Sequence, residues 1–293
     1  MDEPQLPTRD VDGHKGTFGS VCVIGGQRSE DGVVMLGAPT LTAIAAMRSG
    51  CGNVVLAMPQ PILKTGLSMV PTATGIELPV DEVGRLISSA TIEAIDSHAA
   101  GCRCLAIGPG FGCDWQQQQV IATLLSREDR PVVLDADGLN ALSQLPSGQL
   151  ELRSPTIMTP HVGEFQRLAR AMDIDVSSAN LETGAAALAQ AYGCVVVLKS
   201  DVTVVTDGVR METTDHGSVV LATGGSGDVL TGIIAGILVQ YGIDCTKRLF
   251  DAAQFGVLIH AMAGEAFVKE HGNTGMLATD LLDRIPSAIS VLR

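Results

Sequence analysis

A sandwich of α-helices on both faces of a mostly parallel β-sheet is what this sequence predicts, and three observations predict it. Short, continuously apolar, β-branched runs recur along the chain, each closed by Gly, Pro or Asp. Runs of that kind are typical of parallel strands buried on both faces. Stretches of helical period lie between them, which is the alternation of an α/β fold. The 293 residues hold no internal repeat, low-complexity tract or linker, so one domain spanning 1–293 is expected.

The expected strands are 21–24, 54–57, 105–107, 132–134, 156–158 and 195–198, and the expected helices 39–50, 82–98, 115–126, 160–172, 178–192 and 229–241. The segment 160–172 shows the reasoning. Thr159 can cap it, Pro160 suits a first helical position, and Phe165, Leu168, Ala169 and Met172 then recur at helical spacing. Beyond Leu198 the pattern changes. Runs at 202–206 and 218–221 flank the turn signal Asp207-Gly208, which predicts an antiparallel hairpin at one sheet edge. Two further helices are expected over about 247–270 and 278–291.

Apolar residues make up 46% of the chain and charged ones 17%, a composition that folds. With six Phe, two Tyr and one Trp, the core must be built from aliphatic side chains. A net charge of −13 argues against duplex DNA or an anionic membrane as partner. A phosphorylated ligand would have to be held by backbone amides and a few placed cations. The N-terminal stretch lacks a signal-peptide pattern, and the longest apolar run, 229–239, is about half a membrane span. Seven scattered Cys with no CxxC fit neither a disulfide framework nor a zinc site. A cytoplasmic protein with reduced thiols, acting on small molecules rather than nucleic acid or membrane, is the expectation.

The strongest local signal is Ala222-Thr223-Gly224-Gly225-Ser226-Gly227-Asp228, followed at once by an apolar helix. Gly224, Gly225, Ser226 and Gly227 can aim backbone N–H groups at one point, where the helix adds about half a positive charge. An anion such as phosphate is favoured there. The segment is not a P-loop, because Asp228 stands where that loop carries Lys. A carboxylate about 4 Å from a phosphate charge is repelled by roughly 4 kcal/mol at surface-like dielectric. Asp228 is therefore either a helix cap or a base that takes a proton from a substrate hydroxyl as phosphate is transferred to it. Ser226 or Thr223 could supply the cap instead.

Four other segments carry open alternatives. Gly108-Pro109-Gly110-Phe111-Gly112 ends a strand but has the wrong spacing for a dinucleotide fingerprint, so it is a tight turn or a ligand contact. Asp135 and Asp137 could hold Mg²⁺ through water, or one of them could cap a helix. His161 at a helix start is expected neutral and able to hydrogen-bond a ligand; with Glu164 it invites a metal reading that lacks a third ligand. Lys199-Ser200-Asp201-Val202-Thr203 is either a solvated turn or a nucleotide contact.

In order along the chain, His14 to Gly19, Gly37-Ala38-Pro39, Gly108 to Gly112, Leu134 to Asn140, Thr159 to Phe165, Leu198-Lys199 and Ala222 to Leu230 together resemble one family. It is the ADP/ATP-dependent NAD(P)H-hydrate dehydratase family, whose fold is the ribokinase-like three-layer sandwich. The resemblance implies dehydration of the S form of NAD(P)H hydrate through phosphoryl transfer to the ring hydroxyl and loss of phosphate, with Asp228 as the base. It further implies that Ala38, Gly110, Gly112, His161 and Asp228 contact the hydrate. Lys199, Ser200, Asp201, Val202, Thr203 and Gly227 would contact ADP or ATP, with Mg²⁺ as cofactor and a homotetramer as the assembly. Lys199-Ser200-Asp201-Val202 departs from the family's more usual Lys-Gly-(Ala/Ser)-Gly, which leaves the choice of donor open. A small-molecule kinase of the same fold, of the hydroxyethylthiazole, hydroxymethylpyrimidine or pyridoxal type, is the competing expectation.

Overall fold

The computed structural model describes residues 5–29, 31–127, 129–146, 152–174, 181–214 and 216–293. Strand β1 (Ser20–Ile24) runs into a small ribbon, β2 (Gln27–Arg28) and β3 (Val34–Met35), then α1 (Gly37–Arg48) and β4 (Asn53–Pro59). Next come α2 (Gln60–Met69), β5 (Thr74–Leu78), α3 (Ser88–His98), β6 (Cys104–Ile107), α4 (Trp115–Leu125), β7 (Val132–Leu134) and α5 (Asp137–Gln144). β8 (Thr156–Met158), α6 (Val162–Ala171), α7 (Leu181–Tyr192), β9 (Val195–Leu198), β10 (Thr203–Thr206) and β11 (Met211–Thr214) follow. Helices α8 (Ser226–Leu238), α9 (Leu249–His271) and α10 (Ala278–Val291) complete the chain.

Nine strands form one sheet in the order β11-β10-β9-β8-β7-β6-β1-β4-β5. From β9 to β5 every pairing is parallel, while β10 and β11 are antiparallel additions at one edge. All six expected parallel strands are therefore present. Alternate side chains divide the core in two. Val21 and Val23 join a cluster on one face with α8, α9 and α10, whereas Cys22 and Ile24 join a cluster on the other face with residues of α3 to α7. This is the expected three-layer sandwich.

Helices α1 and α8 approach very closely. A Cβ on Gly232 would lie 2.2 Å from the Thr42 carbonyl oxygen, so only glycine allows the contact. Across it, the Thr42 hydroxyl lies 3.1 Å from the Ala38 carbonyl oxygen and 3.0 Å from that of Asp228, and it donates to both. The segment Ser226–Lys247 is long and apolar enough to cross a membrane by length and composition, but 67% of its most apolar window is buried inside the protein, as in a core helix.

Several expectations need correction. The edge hairpin closes with Met211–Thr214, whereas 218–221 contains a 3-10 turn, Val219–Leu221, with Val219 69% exposed. The helix expected from 82 starts at Ser88, and that expected from 229 starts at Ser226. The helix expected from 160 starts at Val162, with His161 as its cap in place of Thr159. Of the helix expected over 178–192, residues 178–180 lie outside the described residues. Helix α2 and strand β5 were not anticipated.

Candidate functional site

The carboxyl ends of β7, β8 and β9 and the start of α8 converge. β7 delivers Asp135, β8 leads through Pro160 to His161, and Lys199 directly follows β9. The Lys199 N–H donates to the Pro160 carbonyl at 2.8 Å, which ties the last two strand ends together. Lys199 Nζ pairs with Asp135 Oδ1 at 2.8 Å, and the Thr231 hydroxyl donates to Asp135 Oδ2, also at 2.8 Å. Asp135 is buried, so these two partners compensate a charge that would otherwise be costly to keep.

Gly225 precedes α8 with φ +90°, a conformation that favours glycine, and it leaves the first N–H groups of the helix without a side-chain cap. Neither Ser226 nor Thr223 caps the helix. Ser226 Oγ instead lies 2.9 Å from His260 Nε2 on α9. Nε2 also lies 3.0 Å from the Ser226 carbonyl oxygen. The Ser226 N–H donates to the Thr223 carbonyl at 3.3 Å, and helix N–H groups without a side-chain cap favour an anion, as expected of Gly224 to Gly227. Lys199 is beside them, because a Cβ on Gly227 would lie 3.2 Å from its ammonium.

Asp228 occupies the third position of α8, in its first turn. Burial first, and then the neighbouring charge of Asp135, raise its pKa to about 7; Lys199 opposes the rise, while Asp137 and Glu164 add to it. Burial also raises Glu164 above the ordinary carboxylate range. For Lys199, burial works against the charge, but Asp135, Glu164 and Asp228 together outweigh it and raise its pKa. The site is thus an acidic cluster around Lys199, with Arg167 a further cation whose charge reaches Glu164.

His161 caps α6. Its Nδ1 accepts from the N–H groups of Gly163 and Glu164 at 2.9 and 3.3 Å, and its own N–H donates to Glu164 Oε2 at 2.8 Å. Burial, Lys199 and Arg167 lower its pKa, so the imidazole is neutral, as expected of a helix start. With Nδ1 accepting, the ring proton sits on Nε2, 3.4 Å from Glu164 Oε1. Gly110 adjoins Ala38, whose Cβ would be 3.5 Å from a Cβ added to the glycine. The Gly112 N–H donates to Asp137 Oδ2 at 2.9 Å, so Asp137 anchors the glycine-rich turn. Ser200, Asp201 and Val202 form the turn between β9 and β10, in which Ser200 Oγ donates to the Val202 carbonyl at 2.5 Å. Thr203 begins β10.

Thr231 and His260 are site residues that sequence reasoning missed. Thr231 had a signal, since it lies one helical turn after Asp228; His260 had none, because its partner is 34 residues away.

A sequence model of the NAD(P)H-hydrate dehydratase family matches residues 21–287. A bifunctional NAD(P)H-hydrate repair enzyme of Moorella thermoacetica is 35% identical over 284 residues, covering 96% of this chain and 51% of its own. The chain spans about half the length of the curated relatives it matches. Among solved structures, the ADP/ATP-dependent NAD(P)H-hydrate dehydratase of Bacillus subtilis, co-crystallised with ATP/Mg²⁺, is 28% identical with a TM-score of 0.77, covering 99% of this chain and 95% of that one. A ribokinase-like superfamily protein of Enterococcus faecalis shares the fold at 24% identity and a TM-score of 0.79, over 98% of this chain and 92% of that one.

Proposed function

Because this chain belongs to the NAD(P)H-hydrate dehydratase family, we propose that it dehydrates the S form of NAD(P)H hydrate at the expense of ADP or ATP. The observation that carries this reading is Asp228, a carboxyl group with a pKa of about 7 in the first turn of a helix whose N–H groups are uncapped. A general base is most effective with a pKa near the working pH. Asp228 takes the proton of the ring hydroxyl as that oxygen accepts the terminal phosphoryl group of the nucleotide, which leaves as AMP or ADP. The ring nitrogen's lone pair then expels phosphate with the C–O bond electrons. Loss of a proton from the adjacent ring carbon restores the dihydronicotinamide.

The other roles are those that the family resemblance implies. Gly224, Gly225, Ser226 and Gly227 hold the transferred phosphoryl group, with Lys199 next to Gly227. Lys199 to Thr203 line the nucleotide side, and Ala38, Gly110, Gly112 and His161 the hydrate side. The donor set suits Mg²⁺ in the form that rides on nucleotide phosphate. No group of three or more His, Cys, Asp or Glu among the described residues could hold a metal alone, and Mg²⁺ bound to phosphate needs only one or two carboxylates and water. Asp135 and Asp137, the pair at the end of β7, are the carboxylates that would meet it, through water. When bound, the ion would neutralise phosphate charge. Cytoplasmic residence fits the seven free cysteines. The homotetramer rests on the family resemblance and is checked by light scattering.

The deciding experiment mixes the protein with hydrated NADH, Mg²⁺ and either ADP or ATP and follows the returning near-ultraviolet absorbance. Nucleotide-dependent recovery with release of phosphate supports the dehydratase and names its donor. A stable phosphoester of another alcohol would mark the kinase instead.

A further inference from the structure

A cleft of about 560 Å³ opens beside the site, in the size range of small-ligand pockets. Gln27, Pro59, Trp115 and Gln117 are among its lining residues, and Arg28 and Arg85 bring positive charge. It continues the same sheet edge. β7, β6, β1 and β4 are consecutive parallel neighbours, so their carboxyl ends lie side by side. Asp135 follows the first, Gly108 to Gly112 follow the second, Gln27 follows the third, and Pro59 ends the fourth. Three strand spacings separate the acidic cluster from Pro59, about 14 Å. Between them lies the glycine-rich turn, against which the Gln27 side chain rests: a Cβ on Gly112 would lie 2.2 Å from Gln27 Oε1.

The substrate of the proposed reaction has two ends. Its reacting ring must lie at Asp228, and its adenosine monophosphate half must go somewhere within the reach of a pyrophosphate link. Trp115, the chain's one tryptophan, stands at the cleft 65% exposed. A large aromatic face left to water is a stacking platform for a base, and such stacking is sequence-tolerant but strong. In a chain of net charge −13, the cleft brings Arg28 and Arg85 together. Two acids, Asp31 and Asp114, also line it, and the Asp31 carboxylate is held by the Ser29 hydroxyl.

We propose that this cleft binds the adenylate half of the hydrated dinucleotide, with the purine on Trp115 and a phosphate on Arg28. The proposal rests on the dehydratase reading, and its test separates the two. Trp115→Ala and Arg28→Ala replace exposed side chains, so both variants should fold. Each is expected to raise KM for hydrated NADH about tenfold, the effect of about one stacked base or charged contact, with kcat within about twofold. KM for the hydrate of reduced nicotinamide mononucleotide, which lacks the adenylate, should not move. Calorimetric titration with NADPH, which needs no turnover, should show the same loss in both variants.

Equal effects on both hydrates, or an unchanged KM for the dinucleotide hydrate, would overturn the assignment while leaving the dehydratase intact. Absence of turnover in the wild type, with NADPH affinity still dependent on Trp115, would overturn the dehydratase and keep the cleft.

Discussion

His260 Nε2 lies 2.9 Å from the hydroxyl and 3.0 Å from the carbonyl oxygen of the same residue, Ser226. A carbonyl only accepts, so Nε2 carries the proton and is shared between the two oxygens. The Ser226 hydroxyl proton is then left for a further acceptor, and in the proposed reaction the transferred phosphoryl group would be that acceptor. His260→Phe is expected to lower turnover by roughly 10- to 100-fold, less than the roughly 10²- to 10³-fold of a lost oxyanion-hole donor because the Ser226 hydroxyl itself remains. His260→Asn, which retains an N–H donor, should recover part of it. Steady-state kinetics on the two variants checks this, and equal losses would refute the positioning role.

The same histidine gives a stability prediction with a definite sign. Burial holds the pKa of His260 down at about 4, against about 6.5 in an unfolded chain. The folded state therefore resists protonation. The stability associated with neutral His260 is present above about pH 6.5 and is lost as the pH falls towards 4, by roughly 3 kcal/mol in all. Denaturant titrations from pH 7 to pH 4 should show the loss, and His260→Phe should flatten it.

Asp228→Asn is expected to leave nucleotide binding intact while lowering turnover by roughly 10²- to 10⁴-fold, the range for a general base. In the wild type, kcat/KM should rise with pH through about 7 as the carboxyl ionises. Asp135 is the second contributor to that raised value, after burial, so Asp135→Asn should shift the acid limb to lower pH. Nucleotide titrations and a pH–rate series test both statements.

His161 joins a structural and a binding role, and two substitutions separate them. His161→Ala removes the α6 cap at a cost of about 1 kcal/mol and should weaken hydrate binding more than nucleotide binding. His161→Asn keeps a capping side chain and should restore the melting temperature without restoring hydrate affinity. Equal losses of both ligands in calorimetry would count against a hydrate contact.

The central strands were legible because they are buried on both faces and so read as unbroken apolar runs. The edges were not. β5 has three exposed residues of five, and β11 is Met-Glu-Thr-Thr, so neither shows an apolar run. The Val219–Leu221 stretch looked like a strand on composition alone, yet it sits in a tight turn over α9. In the site, Gly224 to Asp228 could be read because the whole feature is contiguous. Asp135, Lys199 and Thr231 meet across 64 and 96 residues, distances at which no local pattern announces a partner.

Thr42 connects the two halves of the proposed hydrate pocket through one hydroxyl, which reaches the backbones of both Ala38 and Asp228. Below it, the helices touch backbone to backbone at Gly232, where there is no side chain to slip or re-pack. The spacing between the proposed pocket wall and the proposed base is therefore set by backbone contacts, as on a gauge, and not by side chains that re-pack.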